Sequence, residues 1–333
     1  MVQWIERTVV SGGVALAVFE AAAGPGGPAA PHDDRPVVLL VHGWPDTHIV
    51  WDGVAEALLP DARVFAFDCR GLGHSDRPHG ISPYRIETLA DDVFAVAGEV
   101  NTGGRVHLVA HDWGSILSWE AVSRPGADDV FASYTTISGP CLDHVGTLVR
   151  ENFSPPTRDS LRATALQAIA STYIAVFHLP LVPRLLLSVL GIPRVWREYI
   201  HVMDGTPREV IQVAPTFRRD MIAGVAYYRA NMLRRLIRPR PRPTRIPVLE
   251  LINTRDFAIR TTTFALTGRY AENLTRRESA TGHWLPLIDP GFVADNVRDH
   301  IAAVAPRPAD SPNPAGTPNP AGTARSAVSA RPS

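Results

Sequence analysis

The chain contains no lysine: all 33 of its permanently basic side chains, among 333 residues, are arginine. With heavy alanine and proline usage, this reads as the coding bias of a high-GC bacterium rather than as a mechanism. Acidic residues also number 33, so the formal net charge is zero. That balance excludes a global basic field for nucleic acid or acidic substrates. Cysteine is scarce. Cys69 and Cys141 have no metal-ligand spacing and read as small buried hydrophobes, so nothing implies an oxidising compartment. Long hydrophobic runs are missing too. The longest apolar stretch, Tyr173–Ile192, is interrupted by Pro180, Pro183, Arg184 and Gly191. It is too broken for a membrane span and reads as ligand-facing or packed helices. Residues 1–20 lack the basic start and continuous apolar core of a signal peptide, so a cytoplasmic location is expected.

What is present is ordinary for a soluble enzyme: 45% hydrophobic and 20% charged residues. The length suits one large α/β domain with an insertion, or two small domains. Val9-Val10 and Val14–Phe19, around Ser11-Gly12-Gly13, predict a hairpin. Buried-strand runs follow at 36–41, 63–67, 106–109, 131–137, 246–252 and 273–280. Helical patterns cover 50–59, 86–100, 116–122 and 290–304. This alternation implies a mostly parallel sheet with helices on both faces. Ligands of such sheets sit beyond the strands' carboxyl ends, where His42, Asp68 and Asp112 fall.

Residues 139–245 break the alternation and read as an inserted helical cap. The expected division is therefore core 1–138, cap 139–245, core 246–305 and a Pro/Ala-rich disordered tail 306–333. The cap ends in an arginine- and proline-rich run, Arg234–Pro243, which reads as a stiff solvated hinge in preference to an anionic-surface site.

The chemistry centres on Val106-His107-Leu108-Val109-Ala110-His111-Asp112-Trp113-Gly114-Ser115. A buried strand, a tight turn with small Ala110 and Gly114, and a helix form the context of a nucleophile elbow. Asp112 stands at its apex. A carboxylate, with a reference pKa of about 4, needs no base before it attacks. It suits displacement at an sp3 carbon, giving a covalent ester that must then be hydrolysed. Asp is also a common helix N-cap, and this stretch alone leaves that reading open.

The rest of the chain supplies the parts an ester mechanism needs. His283, in Gly282-His283-Trp284 after the last strand, is placed to activate water. Asp256, just past the preceding strand, is placed to orient it, and Asp143 is the lower-ranked rival. The backbone N–H groups of Trp44, in His42-Gly43-Trp44-Pro45, and of Trp113 would form an oxyanion hole.

These motifs make the chain resemble the α/β-hydrolase superfamily and, within it, the epoxide hydrolases. Haloalkane dehalogenases share much of the set. The resemblance implies an α/β-hydrolase fold with a cap whose two tyrosines bond the epoxide oxygen. Tyr173-Ile174-Ala175-Val176-Phe177-His178-Leu179-Pro180 is similar to the first tyrosine motif, with His178 in place of glutamine. Tyr227-Tyr228-Arg229-Ala230-Asn231 is similar to the second, with Tyr228 at the matching place. Trp44, Trp113 and His178 are expected to touch substrate. Ile137-Ser138-Gly139-Pro140-Cys141-Leu142-Asp143-His144-Val145 is similar to the hydrolase half of EphD-type mycobacterial proteins.

The implied activity is hydrolysis of a lipophilic epoxide to a vicinal diol. It would run through an Asp112 ester, with no cofactor and no metal. The partners expected are the epoxide and water, not nucleic acid, and a homodimer is left open. One alternative is a haloalkane dehalogenase, although Trp44 stands where a second halide donor, often asparagine, is found. The other is a non-catalytic ligand-binding protein on a hydrolase scaffold.

Overall fold

The computed structural model describes residues 2–22, 34–101 and 103–304. Among them, eight strands form one sheet: β1 Gln3–Ser11, β2 Val14–Ala22, β3 Val37–Val41, β4 Arg63–Phe67, β5 Val106–His111, β6 Phe131–Ile137, β7 Val248–Asn253 and β8 Leu274–Ser279. Their order in space is β1-β2-β4-β3-β5-β6-β7-β8. β2 runs antiparallel to both β1 and β4, and the strands from β4 to β8 are parallel. β3, β5 and β6 are buried along their whole length. β3 is apolar throughout, as a strand covered on both faces requires, while β5 buries His107 and His111 and β6 buries Ser133, Thr135 and Thr136.

The hairpin departs from expectation at its start. β1 begins at Gln3, and Ser11 pairs with Val14 instead of lying in the turn. Only Gly12 and Gly13 make the turn, with φ of 55° and 79°. Positive φ at both positions is what a two-residue loop of the favoured twist demands. The first half of β1 escaped notice because Gln3, Glu6 and Arg7 interrupt its apolar residues and none of it is fully buried. The expected tail, 306–333, lies outside the described residues.

The strand order locates the site. The chain steps from β3 outward to β4, then crosses back over β3 to β5. Right-handed crossovers in opposite directions put their helices on opposite faces. Asp52–Leu58, from the first crossover, accordingly packs with Pro290–Val304. Ile86–Val100, from the second, packs with Trp113–Val122. Where the direction reverses, the carboxyl ends of β3 and β5 diverge and leave a crevice.

Between β6 and β7 the described chain is helical, from Leu142–Asn152 through to Val225–Ile237. An ion cluster ties the two ends of this insertion to the core. Arg235 of the last helix reaches Asp143 of the first at 2.6 Å. It also reaches Glu120 of Trp113–Val122 at 3.0 Å and Glu87 of Ile86–Val100 at 2.9 Å. Past Ile237 the arginine-proline run is extended, yet it is not a free solvated hinge. Arg240 N donates to Asp143 Oδ1 at 2.9 Å, and Arg242 pairs with Glu120 at 2.5 Å.

Arg235, Asp143 and Glu120 are all buried. Removing one partner from such a cluster leaves buried charge uncompensated. Arg235→Met should therefore lower the unfolding free energy by about 3–5 kcal/mol in urea titrations. The exposed neighbour Arg234→Met should change it by less than about 1 kcal/mol.

Candidate active site

β5 ends at His111, and the next residue, Asp112, has φ 51° and ψ −122°. A non-glycine residue there is strained and persists only if its surroundings hold it. They do so on three sides. Asp112 N donates to Ile137 O of β6 at 3.0 Å, and Asp112 O accepts from Ile116 N in the following helix. A Cβ at Gly114 would lie 2.2 Å from Val41 O. One at Gly43 would lie 2.3 Å from Asp112 Oδ1. Glycine at both positions lets the ends of β3 and β5 close on the carboxylate.

Across the crevice, Trp44 N donates to Asp112 Oδ1 at 2.8 Å. Trp113 N is the first N–H of the helix Trp113–Val122, and such donors have no partner within their helix. The indole of Trp44 turns away to the insertion, donating Nε1 to the carbonyls of Asp220 and Met221 at 3.1 and 3.2 Å.

His283 lies in the loop after β8 with Nε2 3.6 Å from Asp112 Oδ2. Its Nδ1 is 2.8 Å from Asp256 Oδ2. Asp256 is fixed in turn by the N–H groups of Ala258 and Ile259, both 2.8 Å from Oδ1. Burial alone would strip the proton from His283. The charges of Asp256 and Asp112 outweigh it and hold the imidazole pKa well above its usual value. Burial likewise works to protonate Asp256, and His283 reverses this, so the carboxyl sits below the usual range. The rival acid, Asp143, belongs to the Arg235 cluster and does not serve His283.

Tyr173 comes from the helix Thr172–His178, and Tyr228 from Val225–Ile237. Their ring centroids are 5.8 Å apart. Burial, with the nearby Asp112 charge, pushes both phenols above their usual range, so both remain O–H donors at neutral pH. The adjacent Tyr227 points elsewhere, donating its hydroxyl to Arg70 O at 2.7 Å.

Two mostly apolar cavities meet at Asp112, Tyr173 and Tyr228. One, of about 240 Å³, adds Trp44, His283, Leu187 and Trp196. The other, of about 190 Å³, adds Trp113, Ile116, Val149 and Met232. His178 lines neither, which corrects the expectation that it touches ligand. Its Nδ1 is 2.8 Å from Ile174 O, four residues back, and this bond folds the ring onto its own helix.

Two acids at the site escaped the sequence reading. Asp46 directly follows the His-Gly-Trp-Pro motif, and that position was the available signal. Burial raises its pKa to about 7, against the pull of the Trp284 indole N–H at 3.0 Å. Asp204 ends the helix Pro193–Asp204 and accepts the backbone N–H groups of His283 and Trp284. It arrives from the insertion, far from His283 in sequence, and no local pattern marks it. Among the described residues no group of three or more His, Cys, Asp or Glu is placed to hold a metal ion.

Two carboxylates hold the proton on His283, so neutralising one should release it. In Asp112→Asn the His283 pKa should fall, read by NMR titration of the imidazole. An unchanged titration would show that Asp112 does not control the charge of His283.

Comparison with known proteins agrees with this architecture. Residues 36–186 match the family model for the alpha/beta hydrolase fold. A Mycobacterium tuberculosis protein named probable oxidoreductase EphD is 38% identical over 275 residues, which is 80% of this chain and 45% of that protein. The chain thus spans less than half the length of that relative. Epoxide hydrolase 3 of Mus musculus is 27% identical over 279 residues, 79% of this chain and 69% of that one. A Bacillus megaterium epoxide hydrolase, solved with an inhibitor, shares the fold with a TM-score of 0.69 at 20% identity. That match covers 89% of this chain and all of the other. Reversed crossover, strained turn and matched span agree, and the chain has the alpha/beta hydrolase fold.

Proposed function

We propose that the protein hydrolyses a lipophilic epoxide to a vicinal diol through a covalent ester on Asp112. The observation that carries this reading is the convergence of an aspartate elbow with two neutral phenols across one apolar cavity. A Ser-type acyl transfer has no use for the phenols. Opening a strained ring does, because the leaving oxygen stays attached and needs a proton. The names of the similar proteins point the same way.

In the first step Asp112 attacks one epoxide carbon and the ring C–O bond breaks. The ring oxygen takes a proton from Tyr173 or Tyr228, leaving a hydroxyalkyl ester and a phenolate. The ester removes the Asp112 charge, which lowers the pKa of His283. The proton it releases balances the one the phenol gave. Neutral His283, oriented by Asp256, then takes a proton from water, and the hydroxide adds to the ester carbonyl. The N–H groups of Trp44 and Trp113 face the oxyanion. Its collapse expels the alkoxide, which takes the proton from His283 to give the diol. The Asp112 carboxylic acid left behind then passes its proton to His283, and both groups return to their starting state.

The same reading makes residues 139–245 a cap over a core formed by 1–138 and 246–305. The two cavities on either side of Asp112 would each take one substituent of the epoxide. A haloalkane dehalogenase would use the same acid and base. The commitment of the Trp44 indole to the Asp220 and Met221 carbonyls removes one halide donor and weighs against it.

Intact-protein mass spectrometry of His283→Gln, incubated with lipophilic epoxides and separately with 1-haloalkanes, tests the assignment. The expected result is a mass gain equal to a whole epoxide, mapped to Asp112. An alkyl adduct formed only from haloalkanes would make the protein a dehalogenase. No adduct from either set would favour a ligand-binding role.

A further inference from the structure

The broken apolar stretch of the sequence forms two helices, Thr172–His178 and Val182–Leu190, bent by 120° at the break. Among the described residues no single helix is long and apolar enough to cross a membrane. The second helix is apolar on two sides. Inward, Leu186, Leu187 and Leu190 line the cavity that holds Asp112 and His283. Outward, Leu181, Leu185 and Val189 recur every fourth residue along one face. They are 74%, 69% and 56% exposed. A short helix with apolar residues on both its inner and outer faces is suited to lie between two apolar phases, and the described protein supplies only the inner one.

The charge around this face is one-sided. From Thr172 to Arg197 the chain carries Arg184, Arg194 and Arg197 and no acidic residue. Arg184 and Arg194 are exposed and form no ion pair among the described residues. The next acid, Glu198, is held by Arg208, whose Nε and Nη2 donate to its two oxygens at 2.6 and 2.7 Å. An exposed apolar ridge flanked by free guanidinium groups is complementary to a bilayer surface with anionic headgroups.

We propose that the ridge Leu181–Leu185–Val189 docks the protein on an anionic lipid bilayer, with Arg184 and Arg194 at the headgroups. Docking would set the outer wall of the apolar cavity against the phase in which a lipophilic ligand is dissolved. The proposal concerns the surface and does not depend on which bond the site breaks.

Flotation of the full chain with vesicles tests it. The vesicles are phosphatidylcholine alone or with phosphatidylglycerol, each at low and at high salt. The protein should float with the mixed vesicles, less at high salt, and much less with phosphatidylcholine alone. Leu185→Glu with Val189→Glu should reduce partitioning by about tenfold or more. Val10→Glu, at a separate exposed apolar position on β1, should not change it. Unchanged thermal midpoints would show that the variants fold. Failure to float with any vesicle would overturn the proposal. So would a wild-type dimer that the double variant converts to monomer without vesicle binding, because a second copy would then cover the ridge.

Discussion

Asp112 can stand at φ 51° only because the ends of β3, β5 and β6 crowd around it. The turn has no slack. Gly114 abuts the Val41 carbonyl, Gly43 abuts the Asp112 side chain, and Gly139 packs against Ser115 and the Asp112 carbonyl. Each contact would be lost if the strand order changed, since it is the reversed crossover that brings β3 beside β5. Strain at the turn is therefore held by the sheet as a whole, and the carboxylate it presents is aimed rather than mobile. The same closeness sets Trp44 N against Asp112 Oδ1.

A second constraint is electrostatic. His283 lies between Asp112 and Asp256 in a buried space, with one proton stabilised by two negative charges. His111, which touches the His283 carbonyl, is kept neutral, its pKa lowered to about 4 by burial and by His283. In the proposed reaction this arrangement acts as a timer. The imidazole holds its proton while Asp112 is free and becomes a base once the ester forms. Asp204 and the Trp44 indole join this centre to the insertion, so the site is completed by both parts of the chain.

The core was legible where a single segment carries its own signal. The mostly apolar β5, the small-x-Asp-x-Gly turn and the helix after it are contiguous, and helices 86–100 and 290–304 agree with their periodicity. Asp256 and His283 could be located because strand ends are legible and sites of this sheet type gather there. The first half of β1 was not, because a half-buried edge strand has no need of an apolar run. His178 was misread because its position in a motif says nothing of its rotamer, which a bond to its own helix decides. Asp204 had no signal at all, since its partners are backbone N–H groups. The outward residues Leu181, Leu185 and Val189 were visible as apolar, but only the fold shows that nothing described covers them.

The central claim is that Asp112 itself becomes bonded to the substrate, and the origin of the diol's new oxygen tests it most directly. In the ester route, water attacks the carbonyl carbon of Asp112, so the oxygen bound to the substrate carbon comes from the carboxylate. A single turnover in ¹⁸O-water, with enzyme in excess of epoxide, should give unlabelled diol and leave the label in the peptide containing Asp112. Label in the diol from that first turnover would mean that water attacks the epoxide directly, and the covalent account would be wrong.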